Sequence, residues 1–185
     1  AYALEDQTTG DNNIAIGHQA LEANNASNNI AIGYAALDAN TTGTQNIAIG
    51  SYALSANTTA GQTTAIGYAA LQVSTGIRNT AVGWNAGLSN TTGTGNVFLG
   101  AYAGDSNTTA ANNTFVGYDA APNVTTGGDN TAIGAGALHA NATSTGITAV
   151  GESSNYHGTG AQNTSVGCES MEGSHGNSTG AYNVA

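Results

Sequence analysis

Aliphatic residues recur along this chain at a short, fixed interval, and a glycine directly follows each apolar run. These motif glycines lie 16 or 17 residues apart, at Gly17, Gly33, Gly50, Gly67, Gly83, Gly100, Gly117, Gly134, Gly151 and Gly167. A fixed period of this length predicts a solenoid in which each repeat forms one coil. We therefore interpret residues 1–185 as a single array of about ten to eleven coils, with residues 151–185 forming degenerate coils.

The position before each motif glycine is always aliphatic and mostly β-branched, which is typical of a buried strand. We expect this column to form the structural core: Ile16, Ile32, Ile49, Ile66, Val82, Val116 and Ile133. The residue before it is usually alanine and should point to the opposite face of the strand. After the glycine, a small residue is often followed by leucine, as in Ala53-Leu54, and this pair predicts a second short strand.

Each coil of about 17 residues is thus predicted to contain two short strands, a glycine corner and a polar loop such as Asn40 to Gly43. The predicted fold is an all-β, parallel β-solenoid whose coils stack about 4.8 Å apart. So thin a coil buries little, and its column of small residues lacks a packing partner. We therefore expect self-association about the long axis, with three chains as the preferred number.

The composition excludes several classes of function. Charged residues make up only 6% of the chain, and Arg78 is the sole basic residue against 11 acidic ones, giving a formal net charge of −10. Nucleic acids and anionic membrane surfaces would repel such a protein. No stretch is long and apolar enough to span a bilayer. Cys168 cannot form a disulfide within the chain, so cysteine usage leaves the redox compartment open.

The motif Asn-(Thr/Ile)-Ala-(Ile/Val)-Gly, with a small residue three places later, resembles the YadA-like head repeats of trimeric autotransporter adhesins. It is also similar to the Asn-Thr-Ala-Ile-Gly repeats of phage tail-fibre-like proteins. The resemblance covers essentially the whole chain and implies a left-handed β-roll in each of three chains, packed as a rod that serves in attachment. The unit here is longer than the adhesin repeat, with the extra residues in the Asn-Thr-Thr-Gly loop.

Aromatic residues after the motif glycine are candidates for contact with a host glycan, because sugar faces stack on rings. They are Tyr34, Tyr68, Trp84 and Tyr118. The alternative is that these rings pack at the corner of the coil or between chains. Phe98 and Phe115 should lie one above the other, either at the axis of the trimer or as a contact patch in water.

Sequons in the loops are candidates for N-glycosylation. The regular ones are Asn40, Asn57, Asn90 and Asn107, with others at Asn25, Asn112, Asn123, Asn141, Asn163 and Asn177. The alternative is that Asn-Thr-Thr provides turn chemistry only. A second set of asparagines, just before the strands, should form amide-to-amide hydrogen bonds along the stack. Paired loop threonines such as Thr41-Thr42 make ice binding a further candidate function, although only one threonine of each pair can point outward.

The last coils contain the residues most typical of catalysis, namely His157, Cys168, Glu169, Glu172 and His175. They belong to different columns, so we predict no catalytic or metal site, no cofactor and no enzymatic activity. The sequence favours a structural fibre at a cell surface or on a virion, extracellular in either case, that mediates attachment and display as a homotrimer. The alternatives are an extracellular filament coated with its own glycans, and a solenoid that binds ice or a host glycan or receptor.

Overall fold

A computed structural model describes residues 3–4, 9–158 and 160–171, and it shows the predicted parallel β-solenoid. The described residues form one ten-stranded sheet in sequence order and contain no helix. The strands are β1 (Ile14–Ile16), β2 (Ile30–Ile32), β3 (Ile47–Ile49), β4 (Thr64–Ile66), β5 (Thr80–Val82), β6 (Val97–Leu99), β7 (Thr114–Val116), β8 (Thr131–Ile133), β9 (Thr148–Val150) and β10 (Thr164–Val166).

Each strand pairs in parallel with the next, and equivalent repeat positions lie opposite each other throughout the sheet. Ile30 pairs with Ile47, for example, and Ala31 with Ala48. At about 4.8 Å per pairing, the ten strands span roughly 43 Å. The period read from the sequence therefore fixes both the strand positions and their register.

The predicted core, however, lies on the wrong face of the sheet. The middle residue of each strand from β2 to β10 is buried, whereas the residue before the motif glycine points outward. Ile16 is 59% exposed, Ile66 and Ile133 are also exposed, and the other residues predicted for the core are half-buried: Ile32, Ile49, Val82 and Val116. The interior position is instead the middle of the strand, which is alanine in most strands, phenylalanine in β6 and β7 and serine in β10.

In five coils, a leucine from the opposite side of the coil packs in the interior with the strand alanine: Leu21, Leu37, Leu54, Leu71 and Leu138. Ala48 and Leu54 are both fully buried, as are Ala31 and Leu37 one coil earlier. Two coils use another combination, in which Phe98 and Phe115 replace the strand alanine and lie with ring centroids 5.8 Å apart. Both rings lie inside the coil stack, and neither contributes to a patch in water.

The predicted second strand is not formed. Tyr52 and Leu54 have φ angles of 62° and 51°, so alternate residues after the glycine are left-handed and the backbone curls around the leucine. Hydrogen bonds between coils persist nonetheless, because Leu37 N donates to Ala53 O at 3.0 Å and Leu54 N to Ala70 O at 3.1 Å. Each coil therefore has one strand and one hydrogen-bonded turn.

An asparagine ladder precedes the strands, as predicted, but its partners differ. The side-chain Oδ1 of Asn46 accepts from the backbone N of Thr63 at 3.1 Å, and its Nδ2 donates to Ala60 O at 2.8 Å. The ladder thus binds mainly backbone rather than other amides. It satisfies backbone groups that the narrow interior would otherwise leave without partners.

Candidate interaction surfaces

The outward side chains of β1–β10 form a surface that we call the sheet face. One of its columns is aliphatic throughout, from Ile16 to Val166. The other contains isoleucine, valine or threonine: Ile14, Ile30, Ile47, Thr64, Thr80, Val97, Thr114, Thr131, Thr148 and Thr164. No residue of either column is charged. Ile14, Leu99 and Val166 are 49%, 44% and 59% exposed. Contiguous apolar surface of this kind marks an interaction site.

A row of aromatic rings, which we call the aromatic flank, follows the corner glycines along one edge of the sheet face. It has one ring in each of the first seven coils, supplied by one of two adjacent positions: His18, Tyr34, Tyr52, Tyr68, Trp84, Tyr102 and Tyr118. In two of these coils the first position is small, at Ser51 and Ala101, and the next residue is tyrosine. The ring contacts run from His18 to Trp84 and resume between Tyr102 and Tyr118.

This stacking bears directly on the predicted glycan contacts. Tyr34, Tyr68, Trp84 and Tyr118 are all exposed, as a contact site requires. Tyr68 and Trp84, however, stack at 4.5 Å with an angle of 21° between their planes, and His18 and Tyr34 stack at 5.5 Å and 10°. Sugars bind to open ring faces, and here one face of each of these rings is covered by a neighbour. The arrangement favours the packing alternative for most of the flank.

A column of polar side chains, which we call the amide flank, lies along the opposite edge, just before the strands. Its side chains come from Asn12, Asn28, Gln45, Gln62, Arg78, Asn112, Asp129 and Gln162. Neighbouring coils are linked through it, because Asn112 Nδ2 donates to Asp129 Oδ1 at 3.2 Å. Arg78 is exposed at the middle of this flank. The sheet face is therefore bounded by rings on one side and by polar groups on the other.

The four regular sequons are not available for modification. Asn40, Asn57, Asn90 and Asn107 are all fully buried, so the predicted glycosylation sites are wrong for the folded chain. The amides of Asn40, Asn57 and Asn90 close the loops instead: Asn57 Nδ2, for example, donates to Ala60 O at 3.1 Å, and Ala60 N donates back to Asn57 Oδ1 at 2.9 Å. A sugar on that nitrogen would have to lie inside the coil stack. Among the other sequons, Asn25, Asn112 and Asn123 are exposed, Asn141 and Asn163 are buried, and Asn177 lies outside the described residues.

Both threonines are exposed in three of the five loop pairs, so the prediction that only one of each pair points outward is wrong. In four pairs the first threonine nevertheless donates its hydroxyl to the next coil, as Thr41 Oγ1 does to Thr58 O at 3.0 Å and Thr91 Oγ1 to Thr108 O at 2.9 Å. The second threonine is exposed in each pair: Thr42, Thr59, Thr92, Thr109 and Thr126. Gly76 interrupts this column, which weakens the loops as an ice-binding surface.

Two aspartates beside the aromatic flank are partly desolvated. Burial raises the pKa of Asp38 above its ordinary value, and the nearby Glu22 carboxylate raises it further. Burial likewise raises the pKa of Asp105, helped by the charge of Asp119 and opposed by hydrogen bonds from Ser106. Neither carboxylate belongs to the sheet face.

The residues most typical of catalysis lie in the last coils, which the structure describes only in part. The described residues contain no group of three or more His, Cys, Asp or Glu side chains placed to hold a metal ion. Cys168 and Glu169 are exposed, and Glu172 and His175 lie outside the described ranges. The core there becomes polar instead, because Ser154, Ser165 and Ser170 bring their hydroxyl oxygens within 2.6–3.1 Å of one another.

One feature of these surfaces cannot be predicted from the sequence columns taken one at a time. Arg78 and Trp84 are the only basic residue and the only tryptophan, and they belong to one coil, on opposite flanks. Comparing columns within each coil would have revealed this.

No helix among residues 3–4, 9–158 and 160–171 meets the length and hydropathy of a membrane span. Comparisons with family models, curated proteins and solved structures gave no match, so the interpretation depends on the chain's own surfaces.

Proposed function

We propose that this chain is the shaft of an extracellular attachment fibre, at a cell surface or on a virion, in which three copies pack through their sheet faces. The observation that carries the proposal is the uncharged, apolar sheet face running the length of β1–β10. The resemblance to adhesin heads and tail fibres supports the number three. The work of such a shaft is mechanical: it holds an attachment site away from the surface.

Charge favours the sheet face as the contact between copies. The chain has a formal net charge of −10, so copies repel one another over most of their surface. The strands bring no carboxylate to the sheet face, and its aliphatic residues lose solvent contact when two faces meet. Burying one such side chain contributes about 1.5–3 kcal/mol. Association through this face is therefore the arrangement with the least repulsion and the most apolar burial.

The composition also suits exposure to proteases outside a cell. Trypsin-like enzymes cleave after lysine or arginine, and Arg78 is the only such residue. Its neighbour Asn79 is fully buried and donates through Nδ2 to Gly93 O at 2.8 Å. Cleavage there requires local opening of the ladder.

A charged substitution on the sheet face tests the proposal. Ile133→Glu places a carboxylate on the face at a site already 39% exposed, so the single-chain fold should survive. We expect light scattering to show loss of the trimer with an unchanged circular dichroism spectrum. Thr109→Glu, on an exposed loop, is the matched control and should remain trimeric. An Ile133→Glu variant with the mass of the parent would overturn the proposed interface.

The same face supports a second candidate, ice binding, if the chain proves monomeric. Six threonines share one outward column of the sheet, Thr64, Thr80, Thr114, Thr131, Thr148 and Thr164, beside the aliphatic column. The columns repeat about every 4.8 Å along the rod on an uncharged sheet, and such an array can order water. Thermal hysteresis of the monomer would support this role, and unaltered ice growth would exclude it.

A further inference from the structure

Closed rotational symmetry determines which surfaces meet when copies pack through the sheet face. In a cyclic assembly every contact is between one edge of a subunit and the other edge of its neighbour. The two edges here are the aromatic flank and the amide flank. A rotation about the long axis also keeps every residue at its own height, so each coil faces the same coil of the next copy.

At that level the two flanks of one coil differ little in height. Arg78 and Trp84 are separated by β5, which begins at Thr80 and ends at Val82. Six of about 17 residues in a coil correspond to a rise of about 2 Å, given a coil spacing of about 4.8 Å. Around the ring, the Arg78 side chain of one copy therefore comes level with Trp84 of the next.

Trp84 has room to accept it. One face of its ring is covered by Tyr68 at 4.5 Å, whereas the residue that follows Trp84 in its column is Ala101. Tyr102 lies one position later in its coil than Trp84 does. Among the described residues, the ring contacts do not include one between Tyr102 and Trp84. Trp84 is 52% exposed and Arg78 is exposed, so both side chains are available to a neighbour.

We propose that Arg78 of each copy packs its guanidinium on the Trp84 ring of the next copy, which sets the order and the axial register of the assembly. This inference rests on the proposed self-association through the sheet face. Arginine over tryptophan is the most favourable cation–π pairing, and it gains strength when the pair is shielded from water. It also supplies a use for the only basic residue of an acidic rod.

Charges on the two flanks agree with this pairing in the other coils. Asp129, the only acid on the amide flank, shares its coil with Ala135 and Gly136. The acids at the positions of the aromatic flank, Asp119, Glu152 and Glu169, share their coils with Asn112, Gly146 and Gln162. No described coil therefore brings two carboxylates together across the junction, and the same-level pairing avoids like-charge repulsion throughout.

Cross-linking tests the pairing. In a Cys168→Ser background, Arg78→Cys and Trp84→Cys are prepared singly and together, and each sample is treated with a short bis-maleimide. We expect the double variant to give covalent dimers and trimers on a denaturing gel, and each single variant to remain at the mass of one chain. Light scattering on the same samples reports whether they associate.

The outcomes separate the two proposals. Two results would overturn the Arg78–Trp84 pairing but leave self-association in place. In the first, the double variant associates but gives no cross-links between chains. In the second, the single variants cross-link as efficiently as the double variant. A monomeric parent chain would overturn both. If the double variant itself fails to assemble, Arg78→Gln is compared with Gln62→Ala. Glutamine already occupies the position of Arg78 in two other coils, at Gln45 and Gln62. Only Arg78→Gln should shift Trp84 emission and weaken association, by about fivefold per contact; equal behaviour of the two variants would again overturn the pairing.

Discussion

The corner glycine is the residue on which each coil most depends. Gly50 has a φ of 131°, in a region that side chains other than glycine rarely adopt, and a Cβ there would lie 2.3 Å from the carbonyl oxygen of Gly67 in the next coil. Both the backbone conformation and the close stacking of successive corners therefore require glycine.

We predict that Gly50→Ala destabilises the chain by at least about 3 kcal/mol, from backbone strain and displacement of the neighbouring corner. Gly136→Ala is the control, because Gly136 has a φ of 62° and its Cβ would meet nothing closer than 3.6 Å. Ala69 already occupies the equivalent position with a φ of 53°. The control should change the free energy of unfolding by no more than about 1 kcal/mol, and chemical denaturation of both variants measures the difference.

The raised pKa of Asp105 predicts a pH dependence of stability. Because its folded-state pKa lies above the ordinary value of 3.8, the folded chain holds this proton more tightly than the unfolded chain does. Stability therefore falls as pH rises from about 3.8 through the folded-state pKa, and the penalty is constant above it. Asp105→Asn should remove the penalty, so it should stabilise the chain at pH 7 and have little effect at pH 3.

Thermal unfolding at both pH values checks this prediction. Asparagine keeps the shape of the side chain and can still accept from Ser106. Asp129→Asn, at an exposed position on the amide flank, is the control and should show no comparable difference between pH 7 and pH 3. Equal gains for both variants would indicate relief of general repulsion rather than desolvation of Asp105.

At the scale of the coil, the core is a set of matched volumes rather than a set of large residues. Five of the ten coils pair a strand alanine with a leucine across the interior, as Ala48 does with Leu54. Where phenylalanine replaces that alanine, the leucine is lost: a Cβ on Gly104 would lie 2.5 Å from the Phe98 ring, and one on Gly87 would also be 2.5 Å away. Phe98 therefore uses the volume of the missing leucines.

This complementarity predicts a coupled pair of substitutions. Phe98→Ala should cost about 3–5 kcal/mol by leaving a cavity, and Gly104→Leu should be destabilising because the core is already full. The double variant recreates the alanine and leucine of the other coils. We expect it to be more stable than the sum of the single effects by about 1–3 kcal/mol. Additive effects in a denaturation cycle would contradict the matched-volume description.

The coil also shows how far the sequence alone leads. The period, the positions of the strands and their register follow from the recurring glycines, because stacking requires equivalent positions to meet. The face of the strand that forms the core could not be predicted from the sequence. Large aliphatic residues normally mark a core, but here Ile49 faces outward and Ala48 faces the interior. The left-handed turn at Leu54 was equally hidden, because leucine seldom adopts a positive φ.

The candidate surfaces were predicted less completely than the fold. Exposed rings at Tyr34 and Trp84 were expected, and each stacks on the ring one coil before it, His18 and Tyr68 respectively. The edge-to-face contacts between these pairs depend on Tyr52, which lies at the adjacent position of its coil. The sequons failed because the same Asn-Thr-Thr sequence serves a buried loop closure, as at Asn57. Pattern alone cannot tell an amide that faces water from one that faces a backbone carbonyl.

For the whole molecule, the outward aliphatic columns are the feature that most needs explanation. A single chain leaves Ile66, Leu99 and Ile133 exposed on a face with no charge to keep copies apart. In the proposed trimer, the aliphatic residues predicted for the core would form the interface between copies.

The most direct test of this account is the mass of the unmodified protein in solution, measured by light scattering after size-exclusion chromatography at physiological salt. If three copies pack through their sheet faces, we expect a single species of about three times the chain mass of 18.1 kDa, with the extended shape of a rod. A well-folded species of 18.1 kDa would contradict it, because the sheet face would then be open to water along its whole length.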